Sequence, residues 1–245
     1  MYPNDFFGIK DLNLYTILIF VGIYMAMYML RYQCRKGGVP DKVYRTYLLL
    51  GVVSILVGFL SAELFQSIYF WLETGVFEWR GLTFIGGLIG GIACFLLGKV
   101  IFIKGESAEY FGTICRYAIP CVLIAHAFGR IGCFFAGCCY GIETDSFLGV
   151  TFPGHSHKVF PTQLFESAFL FVWFFVCLKY NKYSLPLYFT GYGVFRFLIE
   201  FIRGDDRGSF IPGLSPSQSY CIIMLVVGIV LFLLPVIKSK IKKQQ

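Results

Sequence analysis

The sequence predicts an all-α, polytopic membrane protein of about seven transmembrane helices. Three observations predict it. Hydrophobic residues make up 57% of the 245-residue chain, only 14% are charged, and the mean hydropathy is +0.71. A soluble domain carries about 25% charged residues, so this chain has too few to cover a water-facing surface. Several stretches also reach about 20 mostly apolar residues, the length that crosses a hydrocarbon core about 30 Å thick.

The expected spans follow in order. The first covers residues 12–30 and has no charge. Residues 46–62 and 81–98 form the uncharged second and third spans. The fourth, residues 111–128, contains Arg116, and the fifth, residues 163–178, contains Glu166. The sixth, residues 185–202, contains Arg196 and Glu200. The seventh covers residues 209–237, and its Pro/Ser-rich start places the helix proper near Ser217. The start of the chain lacks a basic leader, and no small-residue cleavage site follows the first span, so that span is expected to stay in the mature protein.

The net charge of +7 sits mostly at span ends and is not a nucleic-acid signal. Arg31, Arg35, Lys36, Lys42 and Arg45 follow span one, Lys99 and Lys104 span three, Lys179 and Lys182 span five, and Lys238, Lys240, Lys242 and Lys243 span seven. The positive-inside rule then puts the odd-numbered loops and the C-terminus in the cytoplasm and the N-terminus outside. Most connections are short, so residues 1–245 are expected to form a single transmembrane domain. The exception is an outer-face segment at 129–162, rich in Gly and Cys. Phe70 to Trp79 is aromatic and suits the outer interface. Gly86, Gly87, Gly90 and Gly91 open span three. Close helix packing is favoured for them over a backbone left open to a lipid headgroup.

Charges at membrane depth are costly and face polar cavities. Arg196, Glu200 and Arg203 lie at i, i+4 and i+7 and share one helical face. They read either as an internal ion pair locking helices together or as an anion site. An arginine fork matches phosphate oxygens two at a time. His126 and Arg130 are likewise one turn apart, and the glycines at 129, 132, 137 and 141 would let the backbone turn and approach a ligand. Six cysteines lie in spans or on the cytoplasmic side and read as apolar filler. Cys133, Cys138 and Cys139 sit together at the outer face. Their spacing fits no usual zinc pattern, so a disulfide or simple packing is favoured and no metal is expected.

The residues then support a family. GRIGCFFAGCCYG, from Gly129 to Gly141, resembles the signature of the prolipoprotein diacylglyceryl transferase family, which begins Gly-Arg-Ile/Leu-Gly-Asn-Phe and ends in an aromatic followed by Gly. PTQLFE, from Pro161 to Glu166, resembles that family's Pro-Ser-Gln-Leu-Tyr-Glu segment. RFLIEFIR, from Arg196 to Arg203, resembles its Arg-Phe-x-x-Glu-x-x-Arg segment. Tyr15 before Val21-Gly22, Gly86-Gly87-Leu88, and Leu214 to Gln218 match in order, so the resemblance runs over nearly the whole chain.

The resemblance implies a multi-pass enzyme of the bacterial plasma (inner) membrane, active in lipoprotein biosynthesis. Such an enzyme moves diacylglyceryl from phosphatidylglycerol to the lipobox cysteine of a prolipoprotein, and glycerol phosphate leaves. Its implied partners are phosphatidylglycerol, a prolipoprotein signal peptide or another acceptor, and membrane lipid. No nucleic acid and no cofactor are implied. Arg130 and Arg196 would be the phosphate-side residues, with Glu200 beside them. Tyr15, Gly86, Gly87, Gly129, Cys133, Gly141, Gln163, Glu166 and Arg203 would bind substrate. Three departures stand out. Ile85 occupies the place of the family's His, Cys133 that of the signature Asn, and Cys138 that of an acidic residue. A base for the acceptor must then come from elsewhere or be dispensable. His126 is the best candidate, ahead of His155 and His157 on the loop. Two other readings compete: a phosphatidylglycerol-dependent transferase with a different acceptor, and a lipid-binding or transporting membrane protein without catalysis.

Overall fold

The computed structural model describes residues 13–79, 81, 83–204 and 213–244. The expected span starts at Leu12 and Ser209 lie outside the described residues, as do the side chains of Ile85 and of the four C-terminal lysines. The long helices are α1 (Leu14–Lys36), α2 (Asp41–Thr74), α3 (Phe84–Phe102), α5 (Phe111–Ala136), α6 (Thr162–Lys179), a broken helix (Asn181–Ile202) and a last helix (Pro216–Gln244), with α4 (Glu106–Glu109) a single turn. Six stretches are long and apolar enough to cross a membrane, and Gly86–Phe102 is a shorter apolar one. This is a multi-pass membrane protein. Large apolar side chains such as Leu49, Ile55, Phe59 and Leu60 on α2 point outward, where water would penalise them and lipid does not.

The chain divides into two compact units, Met1–Tyr32 with Cys115–Gln245, and Gln33–Ile114. In the second unit, α2 and α3 pack through small residues. A Cβ on Gly58 would lie 2.9 Å from the Gly87 carbonyl oxygen, and one on Gly86 would lie 2.5 Å from the Phe65 Cβ. In lipid, such close backbone contact supplies the dispersion that drives helix association.

The first unit has a core of Leu123, Ile124, Ala127, Leu170, Phe174, Cys177 and Tyr192. Helix α5 continues through Pro120, which has no N–H for the Arg116 carbonyl. Ser184 Oγ donates to that carbonyl instead, across 2.9 Å. A freed carbonyl inside a bilayer needs such a partner. The broken helix contains a π turn at Tyr188–Tyr192, and Trp173 Nε1 donates to the Leu187 carbonyl at its head.

One expectation needs correction. Residues 129–136 do not belong to a loop, because α5 runs on to Ala136. Gly129 and Gly132 are helical and turn nothing. Gly132 serves close packing, since a Cβ there would lie 3.0 Å from the Tyr15 ring. The turn comes at Gly137, with φ of 66°. There the Cys138 N–H bonds to the Cys133 carbonyl and the Gly137 N–H to the Phe134 carbonyl. That pair is a Schellman cap, which satisfies the carbonyls a helix end leaves over.

Candidate active site

Glu166 is the hub of the site. It is fully buried on α6, on the stripe formed by Thr162, Gln163, Glu166, Ser167 and Leu170. Three side chains from two other elements converge on its carboxylate. Arg130 Nε on α5 lies 3.1 Å from Oε2. His126 Nε2, one turn earlier on the same helix, lies 3.6 Å from Oε1. Tyr192, from the π turn, donates its hydroxyl to Oε1 across 2.7 Å. The Tyr192 ring also meets the His126 ring edge-on. Arg130 and Glu166 form an ion pair without good hydrogen-bond alignment, so one carboxylate oxygen and the guanidinium Nε keep hydrogen-bonding capacity. A bare carboxylate at this depth would be very costly, and this pairing is what makes it tolerable.

A second cluster surrounds Glu200. Arg196 Nη2 lies 2.7 Å from Glu200 Oε2, and Arg203 Nε lies 3.7 Å from the same oxygen. Ser215 donates its hydroxyl to Oε1 across 2.9 Å. Ser215 also caps the last helix. Its Oγ accepts the Gln218 N–H, while Gln218 Oε1 accepts the Ser215 N–H. With Pro216 in the first helical position, this is a capping box. The capping serine thus ties the helix start to the ion-pair cluster. Arg196 further donates to Ser217, and its Nη1 is buried without a hydrogen-bond partner. The Arg196 charge also acts on Glu166 and His126, so the two clusters form one electrostatic site. Three arginines face two glutamates, which leaves it net positive.

The segment after α5 closes along this site. Gly141 bridges to Arg203, and the Ile142 N–H donates to the Ile202 carbonyl. A Cβ on Gly141 would clash with the Ile202 carbonyl oxygen and lie 2.9 Å from the Phe160 Cβ, so this approach requires glycine. Gln163 Nε2 donates to the Cys138 carbonyl and Thr162 Oγ1 to the Cys139 carbonyl, while the buried Gln163 Oε1 has no hydrogen-bond partner. Sulfur atoms of Cys133, Cys138 and Cys139 all lie within 4.8 Å of one another, and no disulfide joins any described cysteines. Hydrogen bonds from Cys133 and Cys138, with the Arg203 guanidinium, pull the Cys139 thiol below its ordinary range. Its hydrogen bonds to Cys133 and Cys139 push Cys138 above that range.

The structure therefore gathers His126, Arg130, Gln163, Glu166, Arg196, Glu200 and Arg203 within one unit, with Tyr15 against Gly132 on its α5 side. Gly129 has open space where a Cβ would be. Gly141 is enclosed by protein atoms. Gly86 and Gly87 belong to the other unit and pack against α2. His155 stacks edge-on against Tyr140, and His157 is exposed. Sequence reasoning missed Tyr192, Ser215 and Ser217. The Ser-Pro-Ser-Gln pattern was a readable capping signal for the two serines.

Residues 5–234 match the family described as prolipoprotein diacylglyceryl transferase. The chain is 30% identical to phosphatidylglycerol–prolipoprotein diacylglyceryl transferase 2 of Clostridium perfringens (strain 13 / Type A), over 97% of this chain and 96% of that protein. It is 31% identical to the phosphatidylglycerol–prolipoprotein diacylglyceryl transferase of Clostridium tetani (strain Massachusetts / E88), over 93% and 94%. The transferase of that name from Francisella tularensis subsp. novicida (strain U112) is 30% identical over 96% and 93%.

Proposed function

The chain belongs to the prolipoprotein diacylglyceryl transferase family, and on that premise we propose that it transfers diacylglyceryl from phosphatidylglycerol to the lipobox cysteine of a prolipoprotein. The observation that carries this reading is the buried, net-positive cluster in which Arg130, Arg196 and Arg203 face Glu166 and Glu200. Phosphatidylglycerol is anionic, and its phosphate gains charge as the ester C–O bond breaks. The acceptor thiolate attacks the glyceryl carbon, a C–S bond forms, and glycerol phosphate departs with the electron pair. Donors fixed in advance where that charge develops act without reorganising.

Arg196 suits the phosphate because its Nη1 has no protein hydrogen-bond partner. Arg130 approaches from α5, held by Glu166. His126 accepts the acceptor's thiol proton, with Glu166 orienting the ring. Glu200 positions Arg196 and Arg203. Tyr15, Gly129, Cys133 and Gln163 line the headgroup and acceptor region, and Gly141 keeps its wall in place.

The proposed orientation has the N-terminus outside, the C-terminus cytoplasmic and residues 129–162 at the outer face of a bacterial plasma membrane. The lysines and arginines in the last turns of α1, α3 and α6 and just after them support it. Both units serve one transmembrane domain. A different acceptor is the second reading, favoured by Ile85 in place of the family's His. Intact-mass analysis of a lipobox peptide incubated with the protein and phosphatidylglycerol vesicles tests the proposal. A mass gain of one diacylglyceryl group is expected, and an unmodified peptide beside released glycerol phosphate favours the second reading.

A further inference from the structure

The turn after α5 gathers three cysteines, of which the transfer reading uses only Cys133, as a lining residue. Cys133 lies in the last turn of α5, and Cys138 and Cys139 follow the Gly137 turn. Adjacent residues in extended chain point to opposite sides. Cys139 instead has φ of 63°, a left-handed conformation that side chains rarely adopt. This is the one non-glycine residue in that conformation among those described, and its sulfur lies beside the other two. All three sulfurs then lie within 4.8 Å of one another.

We propose that Cys133, Cys138 and Cys139 form a three-sulfur site for a thiophilic divalent cation of the Zn²⁺ class. A zinc–sulfur bond is about 2.3 Å, so sulfurs sharing a tetrahedral ion sit about 3.8 Å apart. Small side-chain rotations reach that spacing from the observed one. The stoichiometry favours a cation over a disulfide, because a disulfide would use two of the sulfurs and leave the third over. Binding proceeds as M²⁺ plus three thiols to an M(SR)₃ complex of charge −1 and three released protons. No electron is transferred. The Arg203 guanidinium lies against Cys139, and Arg130 is one turn before Cys133 on α5, so the negative complex has positive charge around it. Cys138 is exposed, which gives the ion an entry path and leaves a fourth coordination position for water. Soft thiolate donors select Zn²⁺-class and softer ions over Mg²⁺ or Ca²⁺. Of the six other cysteines, Cys34, Cys94, Cys177 and Cys221 lie on other helices, and Cys115 and Cys121 lie three or more turns before Cys133 on α5.

Cation binding shares Cys133 with the lining of the transfer site and is read by metal binding rather than by transfer activity. Full-length protein in lipid nanodiscs is reduced, freed of reductant without oxygen, and titrated with Cd²⁺ as a spectroscopic stand-in for Zn²⁺. Thiolate-to-cadmium charge-transfer absorption is expected to saturate at one ion per chain. Bound Cd²⁺ should protect three cysteines from maleimide, counted by intact mass, and Zn²⁺ should displace it. Cys138→Ser, and independently Cys138→Ala, should weaken Cd²⁺ binding at least tenfold, about the loss seen even for an outer partner of a metal ligand. Cys115→Ser should leave it unchanged. Absence of saturation at one equivalent overturns the proposal. So does unchanged binding in the triple variant Cys133→Ser, Cys138→Ser, Cys139→Ser with native helical content.

Discussion

Tyr192 donates its hydroxyl to Glu166 Oε1 across 2.7 Å, from a π turn to a fully buried carboxylate 26 positions earlier in the chain. The bond fixes the face of Glu166 that meets His126, while Arg130 holds the other oxygen. One residue outside the recognisable motifs thus sets the geometry of two inside them. Single-turn π segments recur at functional sites, and here the turn aims a phenol at the centre of the cluster.

Tyr192→Phe keeps the ring and removes the donor. A hydrogen bond to a charged group is worth about 1.5–3 kcal/mol, so both thermal stability and transfer are expected to fall. Melting in detergent and transfer in proteoliposomes check this. Full activity with unchanged melting would mean that the bond orients nothing.

Arg130→Lys and Arg196→Lys are both expected to remain damaging. Lysine keeps the charge but loses the planar fork that meets two phosphate oxygens. Loss of one donor of this kind costs about 10²–10³ in rate. Initial rates on phosphatidylglycerol vesicles measure it, and near-normal turnover in either variant removes that arginine from the phosphate.

His126→Ala is expected to lower transfer by about 10²–10⁴, the usual worth of general-base help, with the fold intact. The 3.6 Å separation from Glu166 is too long for a good hydrogen bond and would tighten with substrates bound. His126→Asn separates the two roles open to this side chain. Activity regained in the Asn variant makes His126 a hydrogen-bonding group, and activity lost in both makes it the base.

The orientation has its own test. In a variant with the native outer cysteines removed, a cysteine placed at Ser156 should react with an impermeant maleimide in intact spheroplasts. One placed at Ser239 should not. The opposite pattern reverses the topology and excludes chemistry at the outer face.

Much of the site was legible from spacing. Arg196, Glu200 and Arg203 share a face at i, i+4 and i+7, and both arginines do pair with Glu200. This survives even though the helix tightens to a 3₁₀ turn at Glu200–Ile202 and Arg203 is extended. His126 and Arg130, one turn apart, meet the same carboxylate for the same reason. Their common partner was not legible, because Glu166 is on another helix and periodicity is blind to contacts between elements. The π turn was hidden because a single added residue leaves no trace in an apolar pattern. Among the glycines of residues 129–141, Gly137 turns the chain as expected, but Gly129 and Gly132 misled, because glycine permits both a turn and close helix packing. Only tertiary contact decides between them, as Tyr15 does at Gly132.

The most direct measurement follows both products of one reaction over time. Phosphatidylglycerol vesicles labelled separately in the acyl chains and in the headgroup are mixed with the protein and a lipobox peptide. Glycerol phosphate and lipidated peptide should appear together, one for one, and both should stop when the peptide cysteine is replaced by serine. Headgroup release that outruns peptide labelling, or that continues with the serine peptide, would contradict transfer to a lipoprotein cysteine.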